Sequence, residues 1–284
     1  MVKWQGAAHL GGYQGTIDRA VKELRHDRII SRLLAHDHTI WKPSPTEITD
    51  RLGWLKPAEM EGKIPDIKAL VEDIRTDGYN YALLLGMGGS SLTAAVLGHT
   101  FGHQDGYPDL AVLDSTDPNL LLHYAETLDP PRTLFIVATK SGGTVETFSF
   151  MKYFYNLAEA ALGKGQAGRH FIAITDPGSD LAKLASRHNF RKTFLNDPHI
   201  GGRYSALSYF GLVPAALLGI DLKKFLARAM AAAASEFRAG EGINGLYLGV
   251  ALGELAKIGR DKLTFVASPG ISAFGVWLEQ LFAE

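Results

Sequence analysis

The chain contains no cysteine in its 284 residues. That excludes disulfides, thiolate metal sites and a cysteine nucleophile. It has almost no net charge, 29 Lys and Arg standing against 30 Asp and Glu. Overall electrostatics therefore give no case for nucleic acid or for an anionic membrane surface. No apolar run is long and uncharged enough to span a bilayer, and the first residues lack the basic-then-apolar pattern of a secretory signal. The expected setting is the cytoplasm. Length allows a large core and one or two domains, and none of these properties selects a function.

What is present is organised around Thr139–Thr147, TKSGGTVET. The apolar run Thr133–Ala138 before it reads as a buried parallel strand. The segment 145–161 after it reads as a helix. A turn rich in Gly and hydroxyl residues between strand and helix offers main-chain N–H groups, Ser/Thr donors and the positive end of a helix dipole, which together suit a phosphate. Lys140 adds a charge. The same residues also read as a well-capped turn, with Ser141 or Thr144 as N-cap.

Residues 1–57 carry helical signals, with Thr16 placed to cap a helix running through Ile17, Val21, Leu24, Ile29, Leu33 and Leu34. Pro43 and Pro45 break the chain, and a short helix is expected from Thr46 to about Gly53. His36, Asp37 and His38 lie together but find no further ligand cluster, so no metal is expected. Trp41 and Trp54 are expected in the core.

From Pro65 strands and helices alternate. Strands are predicted at Tyr81–Leu85, Leu110–Leu113, Thr133–Ala138, Phe171–Ile174 and Thr193–Leu195. Helices are predicted at 67–76, 90–102, 118–127, 145–161 and 180–187, the last capped by Ser179. Such alternation makes an α/β fold, a five-stranded parallel sheet with helices on both faces, whose ligands gather at the carboxyl ends of the strands. Beyond it lie an apolar segment over 206–220, a long helix capped by Asp221 and reaching Arg238, a helix over 245–258, a strand over 261–266 and a helix over 272–283. The expected organisation is a helical segment 1–57, a sheet domain 58–220, connecting helices 221–259 and the start of a second such domain at 260–284. A chain ending inside an element, as a second strand–helix series begins, is expected to be a fragment.

A second Gly-rich loop, Gly86–Ser91 (GMGGSS), follows the first strand. With Asp114 closing the second strand it partly matches a dinucleotide fingerprint, but Ser91 stands where the third glycine belongs. Two such loops in one parallel sheet favour a small phosphorylated ligand gripped from two sides. Arg203, within GGRYS, is suited either to gripping phosphate or to stabilising charge on an oxygen, or to a structural salt bridge. Glu146 stands in the first turn of a helix, where dipole complementarity alone suffices to explain it. His199 reads as a solvated or packing residue, and Glu279 and Glu284 as surface charges.

SGGTVET resembles the signature of sugar isomerase (SIS) domains. GMGGSS, TKSGGTVET and GGRYS in this order resemble the glucose-6-phosphate isomerase family. HDHTIWKPSPTEITDRLGW and DPHIGGRYSALSYFGLVPAALLGID are most similar to the isomerase part of bacterial transaldolase/glucose-6-phosphate isomerase fusions. The resemblance implies a three-layer αβα sandwich. It also implies a phosphate cradle of Ser90, Thr139, Lys140, Ser141 and Thr144, reached through Gly88 and Gly89, with Arg203 stabilising an enediolate-like intermediate. Glu146 matches an active-site position of undefined role. Pro198 and Tyr209-Phe210 depart from the family pattern and mark a subfamily. The implied ligand is a hexose 6-phosphate, without cofactor or metal, in a homodimer whose parent protein carries a fused transaldolase domain. The family's general-base Glu, ring-opening His and late Lys belong to later segments. The chain alone is therefore expected to bind hexose phosphates weakly at most and to isomerise them little. The rivals are a phosphosugar-sensing module, disfavoured by the lack of a basic recognition helix in 1–57, and a dinucleotide-dependent enzyme.

Overall fold

The computed structural model describes residues 8–237 and 245–283. The expected helix end at Arg238 and the surface charge of Glu284 lie outside those residues. The chain divides into two compact units, residues 1–49 with 227–266 and residues 50–226 with 267–284.

In the first unit, α1 (Gln14–His26) and α2 (Ile29–Leu34) replace the single helix predicted from Thr16. Arg28, at φ 53°, adopts the left-handed conformation and breaks the run. The apolar face of α1, Ile17 and Val21, packs on Val250 and Ala251. The Gln14 amide donates to the Tyr247 hydroxyl at 2.8 Å. Asp37 caps a 3-10 turn by accepting from the Thr39 N–H at 3.0 Å. Hydrogen bonds from Thr39 and then Arg32 hold its carboxyl down at about 2. Trp41 is 52% exposed and is no core anchor. The strand expected over Asp261–Val266 does not form. It has no ladder partner among the described residues, and Val266 is 88% exposed.

The second unit is the sheet. It contains α3 (Ile64–Thr76), β1 (Tyr81–Gly86), α4 (Leu92–Phe101), β2 (Asp109–Leu113), α5 (Pro118–Thr127), β3 (Thr133–Ala138), α6 (Val145–Leu162), β4 (Phe171–Thr175), α7 (Asp180–Arg187), β5 (Lys192–Leu195) and α8 (Tyr209–Leu217). All pairings are parallel, in the order β2-β1-β3-β4-β5. Successive side chains of a strand face opposite ways, and both faces here are covered. Leu84, Leu134, Ile136 and Ile172 pack against α3, α4 and α8. Leu83, Leu85, Phe135, Val137 and Phe171 pack against α6 and α7. That is a three-layer αβα sandwich. Phe135 stacks on Phe154 and Phe171, with ring centroids 5.5 and 4.8 Å apart.

Two outlying segments join this unit. Leu52 forms an antiparallel bridge with Ile200, and the Gly53 N–H donates to the His199 carbonyl at 3.0 Å. The short helix expected over Thr46–Gly53 is instead a pair of 3-10 turns, Thr49–Arg51 and Gly53–Leu55. Trp54, 36% exposed, is not buried in the core but stacks on Tyr204 at 5.2 Å. After α9 (Leu222–Phe237) and α10 (Gly245–Lys257), α11 (Phe274–Ala283) packs on α4. His99 on α4 lies 3.1 Å from the Ser272 hydroxyl.

Candidate phosphate-binding site

The strand order creates the site. From β1 the chain steps outward to β2, then returns across β1 to lay β3 on its other side. Loops leaving the carboxyl ends of β1 and β3 therefore diverge, and ligands of open parallel sheets sit in the crevice at such a reversal. Gly86 pairs with Ala138 at that end. The loops that follow are 87–91 and 139–144, far apart in sequence but leaving neighbouring strand ends.

A third loop closes on the first. A methyl group built on Gly89 would lie 2.4 Å from the carbonyl carbon and oxygen of Gly202 and 2.9 Å from the Arg203 nitrogen. Only glycine permits this approach of two main chains. The Ser205 hydroxyl, buried, lies 3.1 Å from the Gly89 carbonyl oxygen and 2.6 Å from that of Gly202 and donates between them. GGRYS is thereby fused to the glycine loop, and Arg203 is carried to its edge, its guanidinium 5.6 Å from the Tyr204 ring centre.

The 139–144 loop is shaped by its own hydroxyls and by the next loop. Thr139 and Thr144 join side chains at 2.9 Å, and the Ser141 hydroxyl accepts from the Gly143 N–H at 3.3 Å. Gly142, at φ +65°, fits against Ser179, whose Cβ would be 2.5 Å from an added methyl. Ser179 itself caps α7 through the Ala182 N–H at 3.1 Å, as its position predicts. Thr144 is the N-cap residue of α6 by backbone geometry, but its side chain makes no capping bond. Its hydroxyl is instead joined to that of Thr139. Glu146 follows in the first turn of α6, half-buried.

Lys140 is not an open cation. Its ammonium is paired with the Asp176 carboxylate at the end of β4, and it donates to the Pro198 carbonyl at 2.9 Å beyond β5. Burial raises the Asp176 carboxyl above its ordinary value despite this partner. His199 lies beside Asp197 at 2.9 Å, mostly exposed.

Sequence reasoning did not single out Asp176 or Gln280. Asp176 closes a strand in a DPG turn, a position that could have marked it. Gln280 had no local signal, because it comes from α11. Its amide nitrogen would be 2.7 Å from a Cβ on Gly88, and its buried Oε1 has no hydrogen-bond partner among the described residues. Leu92, Val276, Glu279, Gln280 and Ala283 line an open cleft of 410 Å³ at this edge. Among the described residues no helix is long and apolar enough to cross a membrane.

Comparison with known proteins bears on the fold and the family. A model of the phosphoglucose isomerase family matches residues 65–241. The chain is 32% identical over 179 residues to a glucose-6-phosphate isomerase of Carboxydothermus hydrogenoformans, covering 60% of this chain and 38% of that protein. It is 28% identical over 249 residues to one of Rubrobacter xylanophilus, covering 84% and 57%. The matches thus span 38% and 57% of the length of these two curated relatives. Among solved structures, a hypothetical protein of Thermus thermophilus superposes with a TM-score of 0.78 at 29% identity, over 96% of this chain and 62% of that one. A glucose-6-phosphate isomerase of Chlamydia trachomatis shares the fold, with a TM-score of 0.67 at 22% identity over 78% and 43% of the two chains.

Proposed function

The chain belongs to the phosphoglucose isomerase family, and from that premise we propose that it forms the phosphosugar-binding site of a glucose-6-phosphate isomerase. The observation that carries this reading is the departure of two Gly- and hydroxyl-rich loops from neighbouring strand ends at the β1/β3 reversal, with the Arg203 loop packed against one of them.

The phosphate of a hexose 6-phosphate is taken up by the hydroxyls of Ser90, Ser141, Thr139 and Thr144. Gly88 and Gly89 let it approach the main chain, and the positive end of the α6 dipole faces it. Phosphate is the inert end of the substrate. Holding it fixes the register of the sugar, so that the reacting carbons fall toward Arg203. Interconversion of glucose 6-phosphate and fructose 6-phosphate opens the ring, moves a proton between C1 and C2 through an enediolate, and closes the ring again. The redox change is internal to the sugar, so the chemistry calls for no electron-carrying cofactor. Arg203 stabilises the negative charge that develops on the enediolate oxygens, and Glu146 borders the cradle from the first turn of α6. Lys140 belongs to the same loop as a structural member. The reading extends to a cytoplasmic homodimer, as is common in the family, and to a transaldolase-fused parent, as the resemblance of residues 36–54 and 197–221 implies.

Thermal-shift titration of the chain tests the binding step, since a ligand at a hundred times its Kd adds about 2.7 kcal/mol of stability. Fructose 6-phosphate and 6-phosphogluconate are expected to raise Tm, and NAD to leave it unchanged. Stabilisation by NAD, or none by either phosphosugar up to the millimolar range, overturns the reading. A coupled glucose 6-phosphate assay on an active enzyme carrying this site separates an isomerase from a phosphosugar sensor, which binds without turnover.

A further inference from the structure

A lysine inside a phosphate cradle invites the assumption that it grips the phosphate. The charge of Lys140 is already engaged by Asp176, and a second donor is used on the Pro198 carbonyl at 2.9 Å.

The three residues stand at the carboxyl ends of β3, β4 and β5, which are neighbours in the sheet. The tie is backed by the main chain. The Asp176 N–H donates to the Lys140 carbonyl at 3.2 Å, the Thr175 hydroxyl to the same carbonyl at 3.4 Å, and the Thr139 N–H to the Ile174 carbonyl at 3.1 Å. Pro198 opens the segment that runs through Ile200 to Arg203. One side chain therefore spans from the phosphate loop to the loop that carries Arg203. The second carboxylate oxygen of Asp176 is buried without a hydrogen-bond partner among the described residues, so the carboxylate depends on the lysine for its compensation. Asp197 and Arg51 are the other charges acting on it.

Resting on the phosphosugar reading above, we propose that Asp176 is a positioning residue that decides how the cradle reads an anion. It holds the Lys140 ammonium in a tie to the Arg203 loop. The phosphate is then bound by hydroxyls and main-chain N–H groups and not by a free cation. A cradle of that kind prefers a ligand whose oxygens match fixed donors over any anion of sufficient charge. It also responds weakly to salt, because little of its affinity is long-range attraction. Removing Lys140 should harm binding indirectly, by leaving the Asp176 carboxylate uncompensated next to the phosphate.

The test is a double-mutant cycle on the full chain with fructose 6-phosphate as probe. Wild type, K140Q, D176N and K140Q/D176N are compared at low and high salt, by ligand-induced NMR shifts and thermal melting, with folding checked by circular dichroism. K140Q is expected to weaken binding on the order of tenfold. The double variant should return to within about threefold of wild type, the carboxylate being gone with its partner. D176N, which releases the ammonium, should bind more tightly and with a steeper salt dependence. A double variant as weak as K140Q shows that Lys140 itself grips the phosphate and overturns the proposal. Should K140Q fail to fold, D176N decides alone, and unchanged affinity with unchanged salt dependence overturns the proposal. Wild type that binds no phosphosugar removes the underlying reading as well, and that arm reports it separately.

Discussion

The hydroxyl of Ser205 donates to the carbonyl of Gly89 at 3.1 Å, across 116 residues of sequence. This bond, with the contact of Gly89 against Gly202, makes the glycine loop and GGRYS one rigid piece. Gly89→Ala would need the loops to part, since the methyl meets the Gly202 carbonyl at 2.4 Å. Overpacking of this kind costs about 1–3 kcal/mol. Chemical denaturation should show a loss in that range, together with weaker stabilisation by fructose 6-phosphate. An unchanged midpoint would mean that the two loops are free to separate.

Ser205→Ala probes the same junction without adding bulk. It leaves the buried Gly89 carbonyl and the part-buried Gly202 carbonyl short of a donor and should cost about 1–3 kcal/mol. The Gly89 and Ser205 effects share one contact, so the double variant should lose less than the sum of the two.

Thr144→Val keeps the shape of the side chain and removes its hydroxyl. The 2.9 Å bond to Thr139 is lost, for about 1 kcal/mol of stability. On the proposed reading, in which this hydroxyl takes part in holding the phosphate, affinity for fructose 6-phosphate is expected to fall on the order of tenfold. A variant that binds as wild type does would assign Thr144 to α6 capping geometry alone.

Arg203→Lys retains charge and loses the planar fork of donors. In an active isomerase carrying this site, kcat should drop by about 10²–10³ with a smaller change in KM, the pattern for a group acting mainly on developing charge. A loss confined to KM would move Arg203 to the phosphate end of the substrate.

Asp176 gives a pH dependence with a definite sign. Burial raises its carboxyl above the ordinary 3.8, so over the interval from that value up to the raised one the folded state binds the proton more than the unfolded state does. Its contribution to stability is therefore fullest at low pH and declines as pH rises through that interval. Urea unfolding of wild type and D176N across the acid range should show the wild type losing ground to the variant as pH increases. The opposite trend would mean that pairing with Lys140 outweighs burial.

Much of the fold was legible in the residue pattern, for reasons that lie within each segment. The runs YALLL, TLFIVA and FIAI are largely apolar at successive positions because both faces of a parallel strand are covered, and β3 and α7 begin and end as the pattern predicts. Ser179 announces its helix because an N-cap acts within three residues. The misses share the opposite property. The run 261–266 has strand-like residues, but a strand needs a ladder partner that no local pattern supplies. Trp54 reads as core by its size, yet its surroundings are set by Tyr204.

Of the site, the loops GMGGSS and TKSGGTVET were recognisable because glycine and hydroxyl content is a local trait. The pairing of Lys140 with Asp176 and the approach of Gln280 to Gly88 were not. By itself the sequence determined the five strands of the sheet and the helices between them, and which turns are rich in possible anion donors, since periodicity and capping act over a few residues. Tertiary structure alone decided the rest. Strand order put β3 beside β1 and so brought the two loops to one crevice, and the packing of β4 and β5 placed Asp176 and Pro198 where they hold the charge of Lys140. Contacts between residues tens of positions apart arise from how covered faces fit together, and no residue carries that information alone.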